Sequence, residues 1–291
     1  MKIQYLNGGL ANQVFQYIFV RYAQLSHTET ADWFFDDSFF FVNDVHNGYE
    51  LEKVFGLHPN LLSQHFDTET WVQFIENKKK GISIPQSFKN LGFDIKMITE
   101  FENYKEHNPF DGTIYRVPGN NFLPEIAALQ AEFLYYHGYW LHPEWFRRYR
   151  DIFLEELALP PICDEKNKKY AQMILNTHSV AVHIRRGDYV KLGWASDASS
   201  YLEKVKELLT HYPDTTFFIF SDDISWCREH QNALGFTLPA QTIYIEGNDK
   251  GANYIDLHLM SLCNIMLIGR SAFGYLGMLL NKRLEECIFL T

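Results

Sequence analysis

The sequence predicts an α/β protein of two domains, each built on a parallel sheet. Three observations carry that expectation. An apolar run, a glycine turn and a long helical pattern follow one another at the start of the chain. From about residue 178 onward, short apolar runs alternate with amphipathic segments at strand and helix lengths. Between these regions the chain breaks at Leu159-Pro160-Pro161. The 291 residues suffice for two ordinary domains, here expected at 1–160 and 161–291 with a cleft between them.

The elements follow in order. Residues 3–6 are an apolar strand, and Asn7-Gly8-Gly9 permits a tight turn with positive φ. Residues 12–25 contain no Gly or Pro, and Val14, Phe15, Ile18, Phe19, Tyr22 and Leu25 recur at helical spacing. The stretch 27–160 is less regular. It holds the runs Trp33-Phe34-Phe35 and Phe39-Phe40-Phe41, readable as core or as acceptor walls, and a strand-like run over 133–140. Pro143 suits a helix start. The polar residues 164–169 extend the expected linker. Beyond it the pattern predicts strands at 179–184, 215–220, 242–245 and 265–268, with helices at 201–209, 224–232, 254–263 and 272–281.

Hydrophobic residues make up 46% of the chain and aromatics 16%, enough for a large core. The net charge of −10 argues against nucleic acid or an anionic membrane as a partner at long range. A small anion remains compatible with a local cluster of cations. Cys163, Cys227, Cys263 and Cys287 form no C-x-x-C pair and read as thiols of a reducing compartment. The amino-terminal residues do not make a signal peptide. The apolar stretch 255–280 is interrupted by Asp256, His258, Asn264 and Arg270 and fails as a membrane span. The expectation is a cytoplasmic protein, with peripheral association at the inner membrane face left open.

Ligands of open α/β sheets bind at the carboxyl ends of the strands, so the residues after each strand are the candidates. After the first come Gly9, Asn12 and Gln13. After the later ones come Arg185-Arg186-Gly187-Asp188, Ser221-Asp222-Asp223, Glu246-Gly247-Asn248-Asp249 and Gly269-Arg270-Ser271. Residues 180–189 are the strongest candidate for a nucleotide-sugar diphosphate. His183 and Arg185 share a strand face, and an arginine at a strand end can fork two phosphate oxygens. Asp188 either holds an arginine or bonds a sugar hydroxyl. A plain Arg–Asp ion pair is the competing reading. Ser221, Asp222 and Asp223 read either as helix caps or as ligands of a purine or ribose. Ser271 reads as a cap or as part of an anion site at a helix N-terminus. Asn12 and Gln13 read as turn-formers or as amides for sugar hydroxyls. There is no D-x-D, H-E-x-x-H, P-loop or G-x-S-x-G motif, so no metal and no cofactor are expected.

Gly8-Gly9-Leu10-Ala11-Asn12-Gln13-Val14-Phe15-Gln16-Tyr17, His183-Ile184-Arg185-Arg186-Gly187-Asp188-Tyr189-Val190, Phe220-Ser221-Asp222-Asp223-Ile224-Ser225-Trp226 and the block Asp256 to Cys263 together resemble the motifs of the bacterial-type α-1,2-fucosyltransferases of glycosyltransferase family 11. The resemblance implies a GT-B fold of two Rossmann-like domains, with an acceptor-side domain first and a nucleotide-sugar domain second. It implies metal-independent, inverting transfer of L-fucose from GDP-fucose to a galactoside hydroxyl of a glycan acceptor. By the same resemblance Arg185 holds the β-phosphate and stabilises the leaving GDP, supported by His183 and Asp188, with Arg186 among the residues that bind the nucleotide sugar. Asp222 or Asp223 contacts guanine or ribose. Ser271 caps the β-phosphate with Phe273 beside it, and Asn12 faces fucose and acceptor. Asp188 and Asp32 are the candidate bases, with a base-free departure of GDP left open. The block from residue 270 departs from the family's N-S-x-F-S-W-W-G-A-W-L: Arg270 stands for the Asn, and Tyr275, Leu276 and Leu279 for the tryptophans. That departure keeps two alternatives in view, a non-catalytic nucleotide-sugar or glycan-binding homologue and a same-fold transferase with another donor.

Overall fold

A computed structural model describes residues 1–26, 32–102, 110–119, 121–238, 240–249 and 251–290. The chain divides into two compact units, Met1–Ala158 and Leu159–Thr291.

In the first unit, β1 (Lys2–Tyr5), β2 (Trp33–Asp36), β3 (Ile95–Thr99), β4 (Thr113–Arg116) and β5 (Phe133–His137) form a sheet in the order β2-β1-β5-β3-β4. Every pair is parallel. Gly8 turns the chain at φ 79°, and the helix Leu10–Ser26 follows, starting two residues before the expected position. Its Phe19 packs on Trp33, Trp140 and Trp145, with ring centroids 4.5–5.9 Å apart. The aromatic run at 33–35 is therefore core: Trp33 and Phe35 face this helix. Phe34 packs with the cluster on the opposite face, which holds Ile3, Trp71, Phe74, Phe88 and Met97. The run Phe39–Val42 is a short helix. β2, β3 and β4 were illegible between 27 and 160 because each is only four or five residues long and none lies in a regular alternation of strand and helix.

In the second unit, β6 (His178–Ile184), β7 (Thr215–Ser221), β8 (Gln241–Tyr244), β9 (Ile265–Ile268) and β10 (Glu286–Phe289) form a second sheet, in the order β10-β9-β6-β7-β8. It too is parallel throughout. The chain runs outward from β6 through β7 to β8, then returns to the other side of β6 to lay down β9. The strand order thus reverses between β6 and β9, and a crevice at the carboxyl ends of such strands is where this architecture takes its ligands. Along β6, Val180, Val182 and Ile184 pack with Tyr201, Val205 and Phe217. On the opposite face, His183 packs against the helix Ala272–Leu280 at Gly274. The polar residues 164–169, expected as linker, instead begin the helix Glu165–Leu175, whose N-cap Asp164 accepts from the Asn167 N–H. A capping aspartate turned a polar run into a helix start.

Two buried polar networks fix these units from within. In the first, Gln13 is 0% exposed. Its Nε2 donates to the carbonyls of Gly8 and Gly48, and its Oε1 accepts the Glu50 N–H. In the second, Asn167 and Asn248 bond each other reciprocally, and Asn248 Nδ2 donates to Asp256 Oδ1 at 2.7 Å. Burial pushes the Asp256 carboxyl up to about 7. Gln13→Ala would leave two carbonyls and one N–H without partners. We expect it to lower unfolding free energy by about 2–4 kcal/mol in urea titration. Asp256 binds its proton more tightly folded than unfolded, so its contribution to stability is present at low pH and is lost as pH rises from 3.8 towards 7. The stability difference between Asp256→Asn and wild type should therefore move in the variant's favour across that interval, read as urea midpoints at a series of pH values.

Candidate functional site

The carboxyl ends of β6, β7 and β9 bring together most of the expected donor-side residues. The parallel register pairs His183 with Phe220 and Ile184 with Ser221. One step further it sets Arg185 beside Asp222. Asp222 Oδ2 lies 2.9 Å from Arg185 Nη1, and its Oδ1 accepts the Arg186 N–H at 2.8 Å. Asp188, one helical turn on, accepts from Arg185 Nη2 at 2.7 Å. The Tyr189 ring lies 5.6 Å from the same guanidinium. Arg185 is thus held by two carboxylates while its guanidinium keeps further N–H donors, and its side chain is one-third exposed. Gly187 leaves room for this packing: a Cβ there would lie 2.6 Å from Asp222 Oδ2 and displace the carboxylate.

The other members of these loops divide between holding and presenting. Arg186 stacks flat on Trp226, 3.4 Å from the ring centroid, and Trp226 stacks on His230. The Arg186 side chain is 17% exposed, with Asp223 Oδ2 3.5 Å from its Nε. Asp223 Oδ1 accepts the Trp226 N–H and caps the helix Ile224–Glu229, and Ser221 Oγ accepts the Asp223 N–H. Asp223 is thus the cap of that helix, with its second carboxylate oxygen beside Arg186, and Ser221 holds the capping residue by its N–H. Asp222 is engaged by the two arginines rather than by capping. The loop 246–249 is bound into the Asn167–Asn248–Asp256 network, and the Glu246 carbonyl accepts from Lys166 Nζ.

His183 is buried, 6% exposed. Burial pushes its imidazole down to about 4, and the charge of Arg185 adds to that, so the ring is neutral at neutral pH. Phe273 lies beside it at 5.8 Å, and a Cβ on Gly274 would stand 3.0 Å from His183 Nδ1. The histidine therefore seats the helix Ala272–Leu280 against β6. Ser271 is the N-cap residue of that helix, yet its side chain makes no capping bond. The first N–H groups of such a helix have no intrahelical acceptor. Arg270, beside them, is exposed and forms no ion pair among the described residues. Across the β6/β9 reversal, then, stand a clamped arginine, an unpaired arginine and an open helix N-terminus. Together they can bind a polyanion and stabilise negative charge growing on it.

The first unit's candidates fare differently. Gln13 is committed to the buried network above and has no exposed atom for a ligand, a correction to its expected contact. Gly9 packs near the His46 ring, 3.5 Å from where its Cβ would stand. Asn12 is half-buried at the first helical turn, its amide against Gly8. The helix start is further closed by Glu50, fully buried, whose carboxylate accepts the Leu10 N–H; burial pushes that carboxyl above the ordinary range, making it a weaker acid. Asp32 precedes β2 at the amino edge of the sheet, its carbonyl accepting the Lys2 N–H. It is thus at the wrong end of the strands for a base, which removes it as a candidate.

A second cluster, unforeseen from sequence, occupies the carboxyl edge of the first sheet. Tyr5, Asp36 and His137 are the last residues of β1, β2 and β5. Lys78 Nζ donates to Tyr5 Oη at 3.0 Å and Ser38 Oγ at 2.6 Å. Asp36 accepts from Tyr135 Oη and the Ser38 N–H, and Asp37 accepts twice from Ser63. Burial lowers Lys78 below its ordinary value, pushes Asp37 up to about 6 and pushes His137 down to about 3. The adjacent Asp36-Asp37 pair was the only sequence signal. Its lysine partner, forty residues on in the helix Thr68–Lys79, becomes visible only once folded. Among the described residues, no three His, Cys, Asp or Glu side chains are grouped to hold a metal ion. None of the helices is long and apolar enough to cross a membrane among those residues.

The sequence model of glycosyl transferase family 11 matches residues 120–285, more than half of the chain. An alpha-1,2-colitosyltransferase of Escherichia coli is 26% identical over 278 residues, 94% of this chain and 84% of that protein. The O-antigen biosynthesis glycosyltransferase WbnK of Escherichia coli is 26% identical over 95% of this chain and 89% of its own length. Galactoside alpha-(1,2)-fucosyltransferase 2 of Gorilla gorilla gorilla is 23% identical over 56% of this chain and 51% of its own. Among solved structures, POFUT1 in complex with GDP-fucose superposes with a TM-score of 0.52 at 15% identity, covering 99% of this chain and 98% of that one. A mutant of Arabidopsis thaliana FUT1 in complex with GDP superposes with a TM-score of 0.51 at 12% identity, covering 98% and 69%. These superpositions establish a shared GT-B-like α/β fold. With the family match across β6–β9 and their loops, this chain belongs to glycosyl transferase family 11 and is a glycosyltransferase.

Proposed function

We propose that this enzyme transfers L-fucose from GDP-fucose to a galactoside hydroxyl, forming an α-1,2 linkage with inversion and without a metal ion. The observation that carries the reading is the cation set at the β6/β9 reversal: Arg185, clamped by Asp188 and Asp222, Arg270 and the uncapped start of the helix Ala272–Leu280. In the reaction, the acceptor hydroxyl oxygen bonds to the anomeric carbon from the face opposite the nucleotide. The bond from that carbon to the β-phosphate oxygen breaks, and its electron pair leaves on GDP. The arginines and helix N–H groups are preorganised for that growing charge, the task a divalent ion performs in metal-dependent transferases. Asp188 and Asp222 act as positioning residues for Arg185. The acceptor proton goes to solvent or to the leaving phosphate, so no dedicated base is assigned. The carboxyl edge of the first unit's sheet, with Asn12 near it, is the acceptor-side candidate.

A different donor is the second reading. It is favoured by the similarity to an alpha-1,2-colitosyltransferase and by Arg270 in place of the family's asparagine. Colitose is fucose without its 3-hydroxyl, so the same diphosphate site serves either sugar. A thermal-shift series with GDP, UDP, ADP and CMP separates the nucleotide. Parallel turnover with GDP-fucose and GDP-colitose separates the sugar.

Arg185→Ala should slow GDP release with a galactose-terminated acceptor by about 100- to 1,000-fold, with Arg185→Lys also impaired because one ammonium cannot fork two phosphate oxygens. Unchanged turnover in both variants would refute the assignment. Excess EDTA should leave the wild-type rate of GDP release unaltered. A chelator-sensitive rate restored by Mg²⁺ or Mn²⁺ would overturn the metal-independent reading.

A further inference from the structure

The segment immediately after Arg185 presents apolar side chains to solvent beside a charged site. Val190, Leu192 and Trp194, on and just after the helix Gly187–Leu192, are 51%, 50% and 56% exposed. An indole left this open forgoes the burial that ordinarily recruits tryptophan to a fold. It is nevertheless fixed in place. Gly193 turns the chain at φ 68°, and the Trp194 N–H donates to the Tyr189 carbonyl at 2.9 Å. The indole meets the Tyr189 ring at 5.6 Å and 85°, and the Tyr189 ring lies 5.6 Å from the Arg185 guanidinium. Two ring contacts in series connect the phosphate-binding cation to an open, rigidly mounted aromatic surface.

We propose that Trp194 is the stacking platform for a sugar ring of the glycan acceptor, a specificity-determining residue of the transfer reaction. The inference rests on the reading of Arg185 as the donor-phosphate residue. A pyranose places hydroxyls around its rim and leaves a C–H face that packs on an aromatic surface. The donor sugar is bonded directly to the phosphate and lies within reach of Arg185 itself. A surface two ring contacts away matches the next sugar along, the one being glycosylated or its neighbour. A lipid bilayer suits this patch less well. Asp188, Lys191 and Asp197 interrupt it, and the chain carries a net charge of −10.

The test compares wild type, Trp194→Ala and Trp194→Phe. Transfer is measured over a panel of galactose-terminated oligosaccharides, GDP affinity by calorimetry, and sedimentation with phosphatidylglycerol vesicles. The expected result is an acceptor KM raised about five- to tenfold in the alanine variant, the scale of one aromatic contact, with GDP affinity unchanged and the phenylalanine variant close to wild type. An unchanged acceptor KM overturns the proposal. So does a loss of GDP affinity matching the rise in KM, which would place the indole in the nucleotide site, or a loss of vesicle binding alone. If no panel member is fucosylated while GDP still binds in an Arg185-dependent way, the fucosyltransferase reading fails separately. The platform is then judged by fluorescence titration with methyl β-D-galactopyranoside, where a saturable signal absent from Trp194→Phe supports it and equal signals refute it.

Discussion

Asp222 is the group on which the arrangement of the β6 and β7 loops depends. Two consecutive arginines at a strand end repel each other and, left to themselves, sample many rotamers. The β6/β7 register brings one carboxylate between them, bonding the side chain of Arg185 and the backbone N–H of Arg186. Arg185 is thereby aimed, and Arg186 is released to lie on Trp226. A half-exposed ion pair of this kind adds little to global stability. Its effect is geometric, since it fixes where a positive charge stands before any substrate arrives.

The two units use the same device in opposite states. Each has a strand, a glycine-containing turn and a helix whose first N–H groups face the carboxyl edge of a parallel sheet. In the first unit that helix start is occupied from within by the buried Glu50 carboxylate, whose own backbone N–H is held by the Gln13 amide oxygen. In the second, the corresponding start after Ser271 has no side-chain cap, and Arg270 stands beside it. An internal acceptor already engages one helix end, and the other has no side-chain cap. This asymmetry is the electrostatic support for the proposed phosphate site in the second unit.

The second unit was largely legible because its strands alternate with regular helices and its two central strands, β6 and β7, are seven residues long with no Asp, Glu, Lys or Arg. The segments 179–184 and 215–220 lie within β6 and β7, and the loops after β6, β7 and β9 hold the polar residues that strand-end logic selects. The first unit was legible in β1, the turn and helix after it and the run that holds β5, and not elsewhere. Its strands span only four or five residues, and its aromatic runs divide between strand and helix without a change in composition. Sequence pattern also left each polar residue with two readings that only geometry could separate. Gln13 has the chemistry of a sugar ligand but lies buried among backbone groups. Asp223 has the chemistry of a ribose ligand but caps a helix. Lys78 gave no signal, because its partners Tyr5 and Ser38 are distant in the chain.

Gly187 carries a consequence for how this site can change. The space that a methyl group would take at that position is filled by Asp222 Oδ2, so the turn after β6 and the turn after β7 are sterically interlocked. Neither can drift alone. A larger residue at 187 displaces the carboxylate, and losing the carboxylate frees the arginine that the turn exists to display. The two segments therefore behave as one heritable unit. Variation that leaves this interlock intact has its open route through the β9 loop, where Arg270 forms no ion pair among the described residues.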